Sequence, residues 1–139
     1  MSFSAIQSGR YGFEKQTTSA KKQIYGATMA LPDGRVFRYV ENGGTAVGEG
    51  LVVASEAPAG NHDEDLVVAT SGSAGGTTIG VTLGATAAAK NLYAEGFLFS
   101  NLASTTPHEM YKIKSHAAIA QSATGTITID EPDGFQTAI

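Results

Sequence analysis

Alternating residues in the last third of the chain constrain its fold more than any other feature. Three segments, 91–99, 111–116 and 126–129, place β-branched or aromatic residues between small or polar ones. A period of two is typical of strands that have one dry face and one wet face. In the second segment Tyr111, Ile113 and Ser115 share one face, and His116 is placed with the lysines on the polar face. The pattern predicts an antiparallel sheet with one solvated side.

The same criteria predict further strands upstream, and with them a fold class. We expect strands at 36–40, 51–54, 66–70, 77–83, 93–99, 111–116 and 126–130. Short strands of this kind predict an all-β fold, a compact antiparallel β-sandwich or barrel, with helix limited to a turn or two. The predicted core is made of inward-facing strand residues: Phe37 or Val36, Val53, Val67, Ile79, Val81, Leu83, Phe97, Phe99, Ile113, Ile127 and Ile129.

Glycine and proline positions predict the turns between these strands. Pro32 presets the backbone at the first turn position, Asp33 supplies a side-chain acceptor, and Gly34 tolerates a positive φ. The flanking segments 27–31 and 35–40 are therefore predicted to form a hairpin. Gly80 lies on the polar side of its strand, where a missing side chain allows a bulge or a close neighbouring backbone.

Residues 1–26 differ from the rest of the chain because they are polar, interrupted by glycine and without sustained periodicity. We interpret them as an extended N-terminal arm, followed by a β domain at 27–139. A segment without its own core commonly becomes ordered on another surface, although a frayed terminus is the simpler alternative. The candidate partner-binding anchors on this arm are Phe3, Ile6, Tyr11, Phe13, Ile24 and Tyr25.

Composition argues against several functions. The net charge is −4 and basic residues are sparse even between Arg10 and Lys22, so no nucleic-acid partner is predicted. The chain has no cysteine, hence neither disulfides nor thiolate metal sites. No apolar run approaches the roughly 20 residues of a membrane helix, and the first residues lack the pattern of a signal peptide. These features predict synthesis in the cytoplasm with no membrane partner.

The sequence lacks the residue patterns of common catalytic and metal-binding sites. His62, His108 and His116 have no cysteine to activate, and no serine lies in a nucleophile-elbow sequence. Segment 61–65 combines a histidine with three carboxylates, but it lacks the fixed glycine and glutamate positions of a calcium loop. The glycine-rich segment 71–76 lacks the Lys-Ser/Thr ending of a P-loop. We therefore predict no enzyme, no metal and no cofactor.

Several stretches resemble small virion proteins of tailed bacteriophages. The similarity runs from about residue 27 to residue 139 and is carried by segments 31–39, 43–46, 91–96, 111–116 and 126–132. Such proteins resemble capsid decoration or cement proteins, which implies binding to the outer surface of the head lattice and its stabilisation. The implied partners are the major capsid protein and neighbouring copies in a homo-oligomer, a trimer being common among such proteins. The implied location is the capsid surface of the virion, after synthesis in the host cytoplasm.

Other functions remain open at this point. Glycine- and alanine-rich loops also occur in other virion proteins, so a tail or head–tail connector component is an alternative. A carbohydrate-binding β module on the virion surface is a second alternative, although the chain has no tryptophan for an aromatic platform. A lyase or hydrolase domain ranks third.

Overall fold

Most of the alternating segments form strands in the part of the chain that the structure describes, but residues 91–96, which were predicted to begin the strand at 91–99, form turns and a bend. This structure is a computed structural model that describes residues 6–48, 50–52, 54, 57, 59–62, 66–100 and 108–139. Within those ranges the chain forms eight strands and a single 3-10 turn at Phe13–Lys15, with no α-helix. The predicted all-β fold class is confirmed, and its sheets are mostly antiparallel. Two compact units divide the chain, Met1–Ala54 and Ser55–Ile139.

The first unit contains a small three-stranded sheet. Its strands are β1 (Gln7–Ser8), β2 (Thr28–Ala30) and β3 (Val36–Arg38), in the order β1-β2-β3. β1 runs parallel to β2, and β2 runs antiparallel to β3. The predicted hairpin is therefore confirmed, and the predicted boundary at residue 26 lies inside this unit.

The turn between β2 and β3 is formed by the residues that the sequence predicted for it. Gly34 has a φ of 85° and donates its N–H to the carbonyl of Leu31 at 3.0 Å. The carboxylate of Asp33 accepts the backbone N–H of Arg35 at 3.1 Å and its guanidinium Nε–H at 2.8 Å. These bonds from Arg35 lower the pKa of Asp33 below its usual value. The pair is solvated, so it fixes turn geometry more than it stabilises the fold.

The second unit contains a five-stranded sheet with the order β4-β5-β8-β7-β6. Its strands are β4 (Val67–Thr70), β5 (Thr78–Thr82), β6 (Phe97–Phe99), β7 (Met110–His116) and β8 (Thr124–Ile129). All four neighbouring pairs are antiparallel. β8 lies at the centre, between β5 and β7, so β4 and β6 form the two edges.

One face of this sheet carries a continuous hydrophobic core. Six predicted core residues are buried in it, namely Ile79, Val81, Leu83, Ile113, Ile127 and Ile129. The core also contains residues that the sequence analysis did not include: Ala88, Tyr111, Ile119 and Phe135. Strand periodicity identified the members on β5 and β8, whereas three of the additional residues lie outside the named strands, where periodicity gives no indication.

Bulges alter the simple alternation in two places. In β7 the register passes from Ile113 opposite Ile129 to Ser115 opposite Thr128, so an extra residue is accommodated between them. His116 then pairs with buried Ile127 and is itself only 4% exposed. The placement of His116 on the polar face was therefore wrong, because a bulge moves the residues after it to the other side.

The second bulge was anticipated. It lies in β4 between Val68 and Thr70, directly opposite Gly80. A Cβ on Gly80 would lie 2.8 Å from the Cβ of Thr70. Only a residue without a side chain admits this approach, so the prediction of a bulge or close backbone at Gly80 is confirmed.

Several core and strand predictions were wrong. Val67, Phe97 and Phe99 are 66%, 55% and 69% exposed, because they lie on edge strands and face away from the core. Val36 is 58% exposed and Phe37 is half-buried, since the first unit has little interior. Residues 51, 52 and 54 lie outside every strand, contrary to the strand predicted at 51–54, and Val53 lies outside the described residues.

The segment after β8 completes the core of the second unit. Phe135 is 1% exposed and packs edge-on against the ring of Tyr111, with the ring centroids 4.9 Å apart. Backbone bonds from Gly75 N–H to the carbonyl of Phe135 and from Phe135 N–H to the carbonyl of Gly76 hold the segment on the glycine-rich loop. A Cβ on Gly72 would lie 2.6 Å from the ring of Phe135. The glycine-rich loop therefore forms the seat of an aromatic side chain.

Candidate functional site

The predicted anchors lie mostly on the surface of the first unit. Ile6 and Tyr11 are each 62% exposed, Ile24 is 55% exposed and Phe13 is 48% exposed. Phe3 lies outside the described residues. We call Ile6, Tyr11, Phe13 and Ile24 the exposed anchors. Their side chains are available to a partner in the isolated chain.

These side chains are exposed because the first unit has almost no interior. Within its described residues, Leu31 alone among the large apolar side chains is buried. Gly9 is buried beside it, and a Cβ there would lie 3.1 Å from a methyl carbon of Leu31. Further exposed apolar residues of the unit are Val36, Val40, Val47, Leu51 and Val52. Such a concentration of exposed apolar side chains is typical of an interaction surface.

The segment that carries the anchors is held by its own unit. β1 pairs with β2, and the backbone N–H of Lys22 donates to the hydroxyl of Tyr39 at 3.0 Å. Tyr25, the remaining predicted anchor, is half-buried, stacks on Tyr39 and donates its hydroxyl to the carboxylate of Glu41. Hydrogen bonding with the hydroxyl of Thr18, followed by the bond from the N–H of Lys22, lowers the pKa of Tyr39. The exposed anchors therefore project from an ordered segment.

Two histidines of the second unit have both ring nitrogens engaged. His62 contacts the hydroxyl of Tyr93 through Nδ1 and the carbonyl of Thr86 through Nε2, each at 2.7 Å. A carbonyl only accepts, so Nε2 carries the proton and Nδ1 accepts from the tyrosine.

His116 makes the corresponding bonds with the backbone. Its Nε2 accepts the N–H of Tyr93 at 3.1 Å, and its Nδ1–H donates to the carbonyl of Ala117 at 2.7 Å. The rings of Tyr93 and His116 also stack, with centroids 6.0 Å apart. Neither His62 nor His116 retains a free nitrogen with which to act as a base or bind a metal ion. Their arrangement fixes the loop before β6.

The structure does not assemble a metal-binding cluster among its described residues. Asp63, Glu64 and Asp65, the carboxylates of the segment considered above, lie outside those residues. The carboxylate of Glu109 is described, and it accepts the hydroxyls of Tyr111 and Thr137. Tyr111 also accepts the N–H of Gln136 at 2.7 Å. Burial, followed by the bond to Glu109, raises the pKa of Tyr111. This network holds the segment after β8 in place.

A second exposed apolar area lies at the edge of the five-stranded sheet. Phe97 and Phe99 project from the same side of β6, and Met110 pairs with Phe99 from β7. Met110 is 56% exposed, similar to the two phenylalanines. We call these three residues the edge patch. Sequence analysis missed it because strand alternation identifies two faces without saying which strand lies at an edge.

Comparisons with known proteins do not assign a family. No protein-family model matches the chain, and neither the curated proteins nor the solved structures searched include a match. Within the described ranges, no helix has the length and apolar character required to cross a bilayer.

Proposed function

We propose that the protein is a structural virion protein of a tailed bacteriophage, a capsid decoration or cement protein that binds the outer surface of the head lattice and stabilises it. The observation that carries this proposal is the first unit, which orders its backbone while leaving the exposed anchors uncovered. The resemblance to virion proteins supplies the class of partner. The partners would be the major capsid protein and neighbouring copies of the chain.

Burial of the exposed anchors accounts for the binding energy that such a role requires. Covering one aliphatic or aromatic side chain contributes about 1.5–3 kcal/mol relative to leaving it exposed. The anchors are carried by a segment that already has backbone partners, so binding need not order that whole segment. A few anchors could therefore hold a subunit on a lattice.

Basic residues near the anchors would assist association with an acidic partner surface. Arg10 and Lys15 are exposed beside Tyr11 and Phe13. Charges at the rim of an interface mainly affect the association rate and its salt dependence. The binding energy is therefore assigned to the apolar anchors, and the charges are expected to contribute salt sensitivity.

The sharpest test replaces the anchors and leaves the backbone intact. Removal of residues 1–26 would also remove β1 from its pairing with β2, so loss of binding would have two causes. We would instead compare the full chain with a variant carrying Tyr11→Ser and Ile24→Ser. The matched control is Leu92→Ser, which alters a side chain of the second unit that is 53% exposed.

Binding to undecorated phage heads would be measured by co-sedimentation, and the far-ultraviolet spectrum would monitor folding. We expect the double variant to bind at least about 100-fold more weakly, since each anchor contributes about a tenfold factor or more. The control should bind like the parent chain. Equal binding by the double variant would contradict the proposal, as would binding to isolated tails or to glycans in place of heads.

A further inference from the structure

β6 is an edge strand whose surface is apolar. Its residues Phe97 and Phe99 are more than half exposed, and Leu98 between them is half-buried against the core. Edge strands present unpaired backbone groups, and natural sheets usually protect them with charged residues, proline or a bulge. The strand Phe97–Phe99 contains no charge and no proline.

The other edge of the same sheet provides a contrast. β4 has a bulge between Val68 and Thr70, which interrupts the regular spacing of its backbone groups. β6 pairs with β7 in uninterrupted register along its whole length. Of these two edges, β6 therefore has the more regular spacing of backbone groups for pairing with a further strand.

Hydrogen bonds to β7 establish which backbone groups of β6 face outward. Ser100 N–H donates to the carbonyl of Glu109, and Ile113 N–H donates to the carbonyl of Gly96, both at 2.8 Å. In an antiparallel ladder, bonded positions alternate along each strand. Gly96, Leu98 and Ser100 therefore face β7. The N–H and carbonyl groups of Phe97 and Phe99 are directed away from it, toward the edge that no other described strand occupies.

We infer that β6 pairs antiparallel with β6 of a second copy of this chain, around a two-fold axis at Leu98. In this register Phe97 of one copy is opposite Phe99 of the other. Both residues have outward backbone groups, so each of the two Phe97–Phe99 pairs exchanges its N–H and carbonyl bonds reciprocally. The edge is complementary to itself, as a two-fold interface requires.

The side chains agree with this register. Phe97 and Phe99 of both copies lie on one face, and Met110 extends the strip beside each Phe99. Taking about 200 Å² for each of these side chains, the exposed share amounts to about 350 Å² per copy. Stable interfaces bury about 800 Å² per partner. The pairing is therefore weak and reversible in solution, and it becomes populated where copies are concentrated.

This contact uses the second unit and is independent of the exposed anchors of the first. On a surface that holds many copies, the high effective concentration would favour pairing of neighbouring copies through β6. A failure of lattice binding in the anchor variant would leave it unaffected, so the two proposals can be tested separately.

The first experiment measures dimerisation of the full chain. Sedimentation would be followed from about 10 μM to about 1 mM, a range that covers weak association. Phe97→Lys introduces a charge, and Phe99→Pro removes an outward N–H that makes no bond within the sheet, which an edge strand tolerates. Each variant should weaken the dimer at least about tenfold. Val67→Lys, at a comparably exposed position of β4, is the control and should leave it unchanged.

The second experiment tests the register. Because the chain has no cysteine, a single introduced thiol reports one contact. Leu98→Cys places the two sulfur-bearing residues opposite each other at a non-bonded pair, whose Cα separation of about 4.5 Å suits a disulfide. Phe97→Cys is more exposed but lies away from the axis. We expect oxidation to link Leu98→Cys faster than Phe97→Cys.

Three outcomes would overturn the inference. One is a parent chain that stays monomeric at the highest concentration. Another is a Val67→Lys variant that loses dimerisation as strongly as Phe97→Lys. The third is a Phe97→Cys variant that crosslinks at least as fast as Leu98→Cys.

Discussion

The two units of this chain bury their apolar side chains to very different extents. In the second unit ten residues form a core that is at most 6% exposed, and it is built from the central strands and the segment after β8. In the described part of the first unit, Leu31 is the large apolar residue that reaches this level of burial. Both units form hydrogen-bonded sheets, so backbone pairing does not depend on a large core. The second unit is therefore stabilised by its own core, whereas the described part of the first unit has little buried apolar surface.

The largest expected effect contrasts two phenylalanines. Phe135→Ala in the second unit should lower the free energy of unfolding by about 3–5 kcal/mol, because it empties a fully enclosed site. Phe13→Ala in the first unit should lower it by no more than about 2.5 kcal/mol, because the ring is already 48% exposed. Chemical denaturation, with tyrosine fluorescence as the probe, measures both. A comparable loss in the two variants would remove the distinction between the units.

A smaller effect is expected from adding a methyl group. Gly72→Ala directs its Cβ at the ring of Phe135, and overpacking of this kind costs about 1–3 kcal/mol. Gly43→Ala is the matched control in the first unit, since no atom lies within 4 Å of its added Cβ. Thermal unfolding would compare the two variants with the parent. The comparison fails if Gly43→Ala is the more destabilising of the two.

The smallest expected effect concerns the ionisation of two tyrosines, one in each unit, whose pKa values are shifted in opposite directions. The pKa of Tyr111 is raised from its usual value of 10.0, whereas the pKa of Tyr39 is lowered. A raised pKa in the folded state contributes stability that is complete below pH 10 and is lost as pH rises through the folded value.

Unfolding free energies between pH 8 and pH 11 would test this, the window being set by the usual tyrosine pKa of about 10. The parent chain should lose stability above pH 10 more steeply than a Tyr111→Phe variant. In an absorbance titration, Tyr39→Phe should remove a phenol that ionises early. Identical pH dependence of the parent and Tyr111→Phe would contradict the assignment.

Sequence analysis correctly predicted features that depend on residues close together in the chain. The alternation of residues 126–129 predicted a strand that became the centre of the sheet, and Pro32-Asp33-Gly34 predicted its hairpin. His116 was misplaced because a bulge depends on the register with a partner strand, which a single segment does not contain.

Other errors have a topological origin. Phe97 and Phe99 are as hydrophobic as core residues, yet among the described strands theirs pairs with β7 alone. Phe135 was missed because its segment has no period and is buried by a glycine-rich loop far away in sequence. The sequence analysis named candidate anchors but did not predict the pairing of their segment with β2, because that pairing joins residues far apart in the chain.

The seat of Phe135 also bears on the order of events during folding. Gly72 and Phe135 are widely separated along the chain, and the N–H of Ile139 donates to the carbonyl of Gly72 as well. Contacts between residues far apart in sequence form slowly, because the intervening chain must close into a long loop before those contacts can stabilise the fold. As the chain leaves the ribosome, β4 and β5 emerge well before β8 and the segment that follows it. The apolar face of β5, with Ile79 and Val81, therefore remains open to solvent until residues 124–139 have been synthesised.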